Sequence, residues 1–597
     1  MTASSADRTL PVLFAIAALA ALAPAGVWAQ AGSQPVPLAP PIAAEAAGEA
    51  PAGSTLVVPS PVLDTQPLRP REPGAGLFEV QELKAPNPEA VGVLDDRQGG
   101  LGPNVWTGTP AVLVRRYLPQ IPVASGSRVM HALARRLLLT AAAPDGGAGD
   151  GPSLIELRAE RLFALGEIDG LAALLKVAPA ALSSPGLQRL KIDTYLLAGD
   201  TKAACAEAAV LAATQGAAAD PRLSVFCNLI NGKVLEANLA LDLMRERKDA
   251  DHAFIAAAEA MGGTPPAKVD KLPNPLPLHF AAFKAAKMAL PADVAANSQP
   301  PLLRAIVDNP GLPIDTRLAA AERAESLGAL DTDSLRKFYG AVTFSPPEQQ
   351  AAQAQGDKSP RGRVLLLRAV QAEAVPAARA DLIVRIVAAA AERGAQATTA
   401  RLYAPLIADL HPAPDLAVFA APLARALFLA GRPEAANTWV TLAKSDPVGA
   451  KAAEDLWALA RLGRMGGADA SPASAFATWR TARDLPAEAA ERRLAAGLDL
   501  LQAVGDKVPA AEWLALPQSG VVASVSPKPA VKAMLRGAAE GLRVGETLLL
   551  ALVALGEGGL DKVDPDTLNR VVVDLRMVGL DREARELAIE AALANGV

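Results

Sequence analysis

From about Ser153 onward the apolar residues fall at helical spacing, and the pattern repeats: LRAERLFALGEIDGLAALL, LKIDTYLLAGDTKAACAEAA and LSVFCNLINGKVLEANLALDL superimpose without a gap. Each segment predicts one helix that ends at a glycine and a second that starts within two residues of it. The glycines, Gly166, Gly199 and Gly232, stand 33 residues apart twice over. Leu157, Leu190 and Leu223 correspond, as do Leu162-Phe163, Tyr195-Leu196 and Asn228-Leu229. Five residues beyond each glycine come Leu171, Ala204 and Ala237, where a small side chain lets paired helices approach closely. A self-similar period of this length marks a stacked helical repeat.

Outside these repeats the texture changes several times. Residues 30–76 are rich in Pro, Ala and Gly and cannot supply a packed core, which predicts a disordered linker. Residues 77–110 occur once, have no helical period, and open on a short alternating run that reads as a strand. This segment is either a cap that seals the first helix pair or a docking element for a partner, with Asp95, Asp96 and Trp106 as its candidate docking residues. Helices begin near Pro110, and 111–262 form the repeat region. Prolines then concentrate in 263–302, which predicts a joint around one helix from about His279 to Leu290. Residues 303–597 read as an irregular helical array, interrupted by a second irregular stretch from Pro346 to Arg363.

A glycine at the inter-helix turn with an alanine five residues on resembles the tetratricopeptide-repeat family, in degenerate form. The same spacing recurs as Gly431 to Ala436 and Gly579 to Ala584. The resemblance implies an all-α fold: a right-handed α-solenoid of antiparallel helix pairs, with an N-terminal non-repeat cap and a disordered linker ahead of it. The first helices lack the Trp, Gly and Tyr positions usual in that family, and the repeats lack its regular closing proline.

Composition supports helix throughout. Ala is the commonest of the 597 residues and aromatics are 4%, so helices pack through small side chains, while 46 Gly and 50 Pro favour many short helices over a few long ones. Residues 1–29 read as a signal peptide: Arg8 precedes an apolar run from Leu10 to Leu22, and Val27-Trp28-Ala29 places small residues at a cleavage site after Ala29. The run is shorter than the ~20 residues a membrane span needs. Leu548–Leu555, the next best apolar run, is shorter still, so no transmembrane span is expected after cleavage. The expected location is periplasmic or secreted. Texture adds a resemblance to Ala-rich exported proteins of Gram-negative bacteria.

An oxidising compartment gives the two cysteines a meaning. Cys205 falls in the second helix of repeat two and Cys227 in the first helix of repeat three, on either side of a turn near Gln215 to Asp220. In a helical hairpin they sit at one level, which favours a Cys205–Cys227 disulfide over two free thiols. The net charge of −5 with no basic tract gives no reason to expect a nucleic-acid partner.

Sequence chemistry is sparse. The four histidines, His131, His252, His279 and His411, show no metal-ligand spacing, and the glycine runs at Gly100–Gly102 and Gly146–Gly151 continue into neither a P-loop nor a dinucleotide fingerprint. No cofactor and no metal is implied. Asp95-Asp96 is a conspicuous acidic pair, but adjacent residues rarely point the same way. These observations favour an exported non-enzymatic helical-repeat scaffold that binds a protein or peptide partner in the cell envelope. The alternatives are a regulatory subunit of peptidoglycan synthesis or hydrolysis, which would partner the peptidoglycan machinery, and a glycan-cleaving enzyme with an unrecognised site.

Overall fold

Prolines and short polar residues set where the helices start. Pro110 precedes α1 (Ala111–Tyr117), and the Ser127 hydroxyl caps α2 (Arg128–Leu139) by accepting from the Met130 amide. Ser153 caps α3 (Leu154–Leu165) in the same way, accepting from the Glu156 amide. There follow α4 (Ile168–Val177), α5 (Pro185–Ala198), α6 (Thr201–Gln215), α7 (Pro221–Ile230), α8 (Val234–Arg245) and α9 (His252–Met261). Proline stands in the first turn of α5 and α7, where its missing N–H has no partner to lose. The computed structural model describes residues 87–146, 151–215, 220–246, 251–464, 473–516 and 524–597. The predicted signal peptide, the linker and residues 77–86, with their alternating run, lie outside the described residues.

The fold is all-α. Among the described residues no strand forms, and β-pairing is limited to isolated bridges such as Leu94 with Thr140. All described residues belong to one unit, Leu83–Val597, with one continuous apolar core.

The five glycines of the repeat pattern each stand between two helices with φ between 70° and 86°. At each, two backbone bonds close the turn: for the first, the Gly166 amide donates to Phe163 and the Glu167 amide to Leu162, both at 2.9 Å. This is the Schellman arrangement, which satisfies carbonyls at the end of the helix and needs a left-handed residue. The positions five residues further on, Leu171, Ala204, Ala237, Ala436 and Ala584, are all fully buried. Two further turns have the same bonds without glycine. Lys287 (φ 55°) is followed by a Met288 amide bonded to Phe283, and Leu542 (φ 53°) by an Arg543 amide bonded to Ala538.

The 263–302 stretch holds more than one helix. It contains α10 (Pro277–Ala285) and α11 (Val294–Asn297) and starts α12 (Pro300–Val307). α10 begins two residues before the expected His279 and ends well before Leu290, because Lys287 turns left-handed. α10 packs on α5, α7 and α9, and α12 on α3 and α5, so the chain returns along its own repeats.

After α13 (Ile314–Ser326) and α14 (Thr332–Ala341), the stretch from Pro346 to Arg363 is helical rather than irregular. It forms α15 (Pro346–Gln355) and the start of α16 (Pro360–Ala372). Ser345 and Glu348 make a capping box around Pro346, and the Gln- and Ala-rich run that follows is compatible with helix. Next come α17 (Pro376–Ala389), α18 (Gln396–Ala408), α19 (Ala417–Leu429), α20 (Pro433–Ala443), α21 (Pro447–Asp455) and α22 (Trp457–Leu462). The last helices are α23 (Ala473–Thr481), α24 (Ala487–Ala503), α25 (Ala510–Leu514), α26 (Pro529–Glu540), α27 (Val544–Leu555), α28 (Pro565–Met577) and α29 (Asp581–Ala594).

The last of the described helices pack on the first: α27 meets α1 and α2, and α29 meets α2. An open stack, in which each repeat touches only its neighbours, does not make such contacts. The described helices therefore make a closed circuit of contacts.

Candidate functional site

The segment before α1 is stitched to the helices behind it. Glu89 is buried; it accepts from the Leu154 amide at 2.9 Å and pairs with Arg115 at 2.7 Å. Arg158 of α3 is buried as well, and its guanidinium donates to the carbonyls of Val91, Leu138 and Thr140. Burial with no carboxylate alongside pushes its pKa down to about 10. Trp106 is only 3% exposed and lies against Gly545 of α27, where an added Cβ would come within 2.7 Å of its ring. Its ring is therefore taken up by the core and not presented to a partner. Asp95 and Asp96 are exposed, and the Asp95 carboxylate caps a short turn by accepting from the Arg97 and Gln98 amides. The structure does not bring the three candidate docking residues onto one surface.

Three carboxylates fasten the closure. Glu557 accepts from the Val123 and Ala124 amides at 3.0 and 3.1 Å, and Glu583 pairs with Arg136. Glu590 of α29 sits at the start of α2, accepting from the Ser127 hydroxyl and from the Arg128 amide. Burial pushes its carboxyl up, against the Ser127 hydrogen bond. Arg128 in turn donates to the backbone carbonyl of Glu325. The Glu325 carboxylate is fully buried and takes a bidentate pair from Arg401 at 2.7 and 2.9 Å. Burial opposes its ionisation, but the Arg401 hydrogen bonds and charge win and hold it below the usual carboxylate range.

Cys205 of α6 and Cys227 of α7 are joined in a disulfide, with Cα atoms 5.5 Å apart. α7 packs on α8, and α8 carries the largest run of exposed aliphatic side chains in the repeats. One face of α8 is core: Ala237, Leu241 and Met244 are buried. The opposite face holds Leu235, Leu239 and Leu243, spaced by four and 85%, 67% and 62% exposed. Ile230 at the end of α7 and Val210 of α6 are exposed too. Both faces of α8 have helical apolar spacing, so sequence periodicity alone does not choose between them.

Among the described residues no group of three or more His, Cys, Asp or Glu is arranged to hold a metal ion. His279 is buried and satisfied: Nδ1 accepts from the Leu276 amide, and Nε2 lies 2.9 Å from Asp251. The carboxyls raised to about 6 by burial, Asp193, Asp499 and Asp574, belong to three different helices, α5, α24 and α28. No described helix is long and apolar enough to cross a membrane. No family model, curated protein or solved structure matches the chain.

Proposed function

We propose that this protein is an exported, non-enzymatic helical scaffold that docks a protein or peptide of the cell envelope on the leucine face of α8. The glycine-turn pairs are read as antiparallel hairpins stacked with a right-handed twist, a solenoid segment of tetratricopeptide type. The observation that carries the docking role is the exposure of Leu235, Leu239 and Leu243 along one helix face. Lone exposed leucines need no explanation, but three in register make an apolar stripe of the kind an amphipathic partner helix covers. The disulfide supports both halves of the reading. It fits an oxidising compartment, and it ties together the two helices that precede α8.

The test is site-directed photocrosslinking in intact cells with the crosslinker at position 239. A single dominant adduct is expected, lost in the Leu235→Ser/Leu243→Ser variant and not obtained from position 418, which is also exposed but lies on α19. Equal labelling from both positions, or an adduct indifferent to the two serines, overturns the docking role.

A further inference from the structure

A second feature of the fold has the chemistry of a small-molecule site and stands apart from α8. Helices α13, α14, α16, α17 and α18 border a cavity of about 370 Å³, within the ~300–1,000 Å³ range of ligand pockets. Leu335, Leu366, Ile386 and Leu402 supply its apolar wall. Its polar groups are unbalanced in charge: Arg323, Arg363 and Arg393 face it, against the single carboxylate of Glu322.

That carboxylate is already engaged, accepting from the Tyr339 hydroxyl and from Nε and a terminal nitrogen of Arg363. Arg323 donates to the backbone carbonyls of Ala295 and Ala296, and among the described residues no carboxylate pairs with it. Arg393 reaches Asp357 only at 3.4 Å. Tyr403 lines the same cavity, is 2% exposed, and its hydroxyl has no hydrogen-bond partner among the described residues. Burial raises its pKa, so the hydroxyl stays a donor at any physiological pH. That hydroxyl opens into the cavity with no protein acceptor among the described residues, so an acceptor entering the cavity can take its hydrogen bond.

We infer that this cavity binds a small carboxylate with an aromatic or alicyclic body, its anionic end at Tyr403 and Arg393 and its body against the leucines. A neutral ligand would leave the guanidinium surplus unmatched, and a cation would face it directly. Nothing in this inference depends on what docks at α8.

The full chain should be titrated calorimetrically with three probes of one shape: 2-naphthoate, 2-naphthamide and 2-naphthylmethylammonium. Naphthoate is expected to bind, the amide about tenfold more weakly, as for loss of one charge-assisted contact, and the ammonium not at all. Tyr403→Phe removes only the hydroxyl and keeps the ring, so it should weaken naphthoate roughly three- to tenfold without loss of fold. Arg393→Gln should weaken it about tenfold, whereas Arg97→Gln, on an exposed turn, should leave it unchanged. The inference is overturned if no probe binds at millimolar concentration, if the three bind equally, or if naphthoate binds both cavity variants as it binds the parent chain. An Arg97→Gln effect as large as that of Arg393→Gln overturns it as well.

Discussion

The left-handed turn between paired helices can be tested in both directions, because the fold contains the same turn with and without glycine. At Gly431 (φ 70°) an added Cβ would meet no atom within 4 Å, so Gly431→Ala is charged only for conformation. A left-handed non-glycine residue costs about 1–2 kcal/mol, and alanine returns about 0.4–1 kcal/mol by restricting the unfolded chain, leaving a loss of about 1 kcal/mol. Leu542 (φ 53°) is the reverse case. It is 65% exposed, so Leu542→Gly gives up little burial and should gain somewhat under 1 kcal/mol. Gly166→Ala adds overlap to strain, since its Cβ would lie 2.6 Å from that of Ala329 and 3.1 Å from the Pro300 backbone; overpacking raises the loss to about 2–4 kcal/mol.

In a unit of this size the unfolding entropy is on the order of 1 kcal/mol/K, so each kcal/mol moves Tm by only about 1 °C. Native-state hydrogen exchange at the turn is the sharper assay. The Arg432 amide, which closes the turn onto Leu427, should exchange about fivefold faster in Gly431→Ala, and the Arg543 amide, bonded to Ala538, a few-fold slower in Leu542→Gly. Unchanged exchange at Arg432, or faster exchange at Arg543, would refute the assignment of these turns as the point where the backbone conformation limits stability.

Three other outcomes are expected. Replacing Cys205 and Cys227 by serine should cost about 3 kcal/mol, the chain-entropy value for a link spanning 22 residues, measured by denaturant unfolding beside the oxidised parent. Glu325→Gln should cost about 3–5 kcal/mol by leaving Arg401 without its buried partner, whereas the double change Glu325→Met/Arg401→Met should be near neutral; equal losses would show that packing, not the charge, is at stake. Asp499, raised to about 6 by burial and bonded to Asn569, is half-buried. Its unfolded form ionises first as pH rises, so its contribution to stability is present below about pH 4 and lost by about pH 6. Asp499→Asn should therefore match the parent near pH 4 and exceed it by up to about 2 kcal/mol at pH 8, in unfolding curves across that range.

The helix pairs were legible because glycine is a conformational signal that survives in one dimension. Gly166, Gly199 and Gly232 mark turns whose φ values only glycine adopts without strain, and buried Ala204 and Ala237 follow from the same register. The disulfide was legible for a related reason: two helices of known period place Cys205 and Cys227 at one level. Where a turn uses Lys287 or Leu542 the signal vanishes, and the predicted helix ran past its end. The closure left no trace, since Glu557, Glu583 and Glu590 are ordinary loop and helix carboxylates whose partners lie more than 400 residues away in the chain. The stripe on α8 and the two cavity tyrosines were present in the sequence, but their meaning depends on which neighbours cover them.

The closed circuit, the disulfide and the exposed leucines bear on one energetic question. Fully burying a leucine yields about 1.5–3 kcal/mol, so a partner that covered Leu235, Leu239 and Leu243 from their present exposure would gain roughly 3–6 kcal/mol of gross burial. Association and side-chain ordering cost about as much, so a stripe on a mobile helix would bind almost nothing. Here Ala237, Leu241 and Met244 hold α8 in the core, Cys205–Cys227 fixes α6 to α7 beside it, and α29 locked on α2 keeps the circuit shut. A face that is already ordered is spared the ordering part of that cost, so a larger share of the burial is left as affinity. If the leucine face of α8 docks a partner as proposed, loosening the disulfide should weaken its capture before it unfolds the protein.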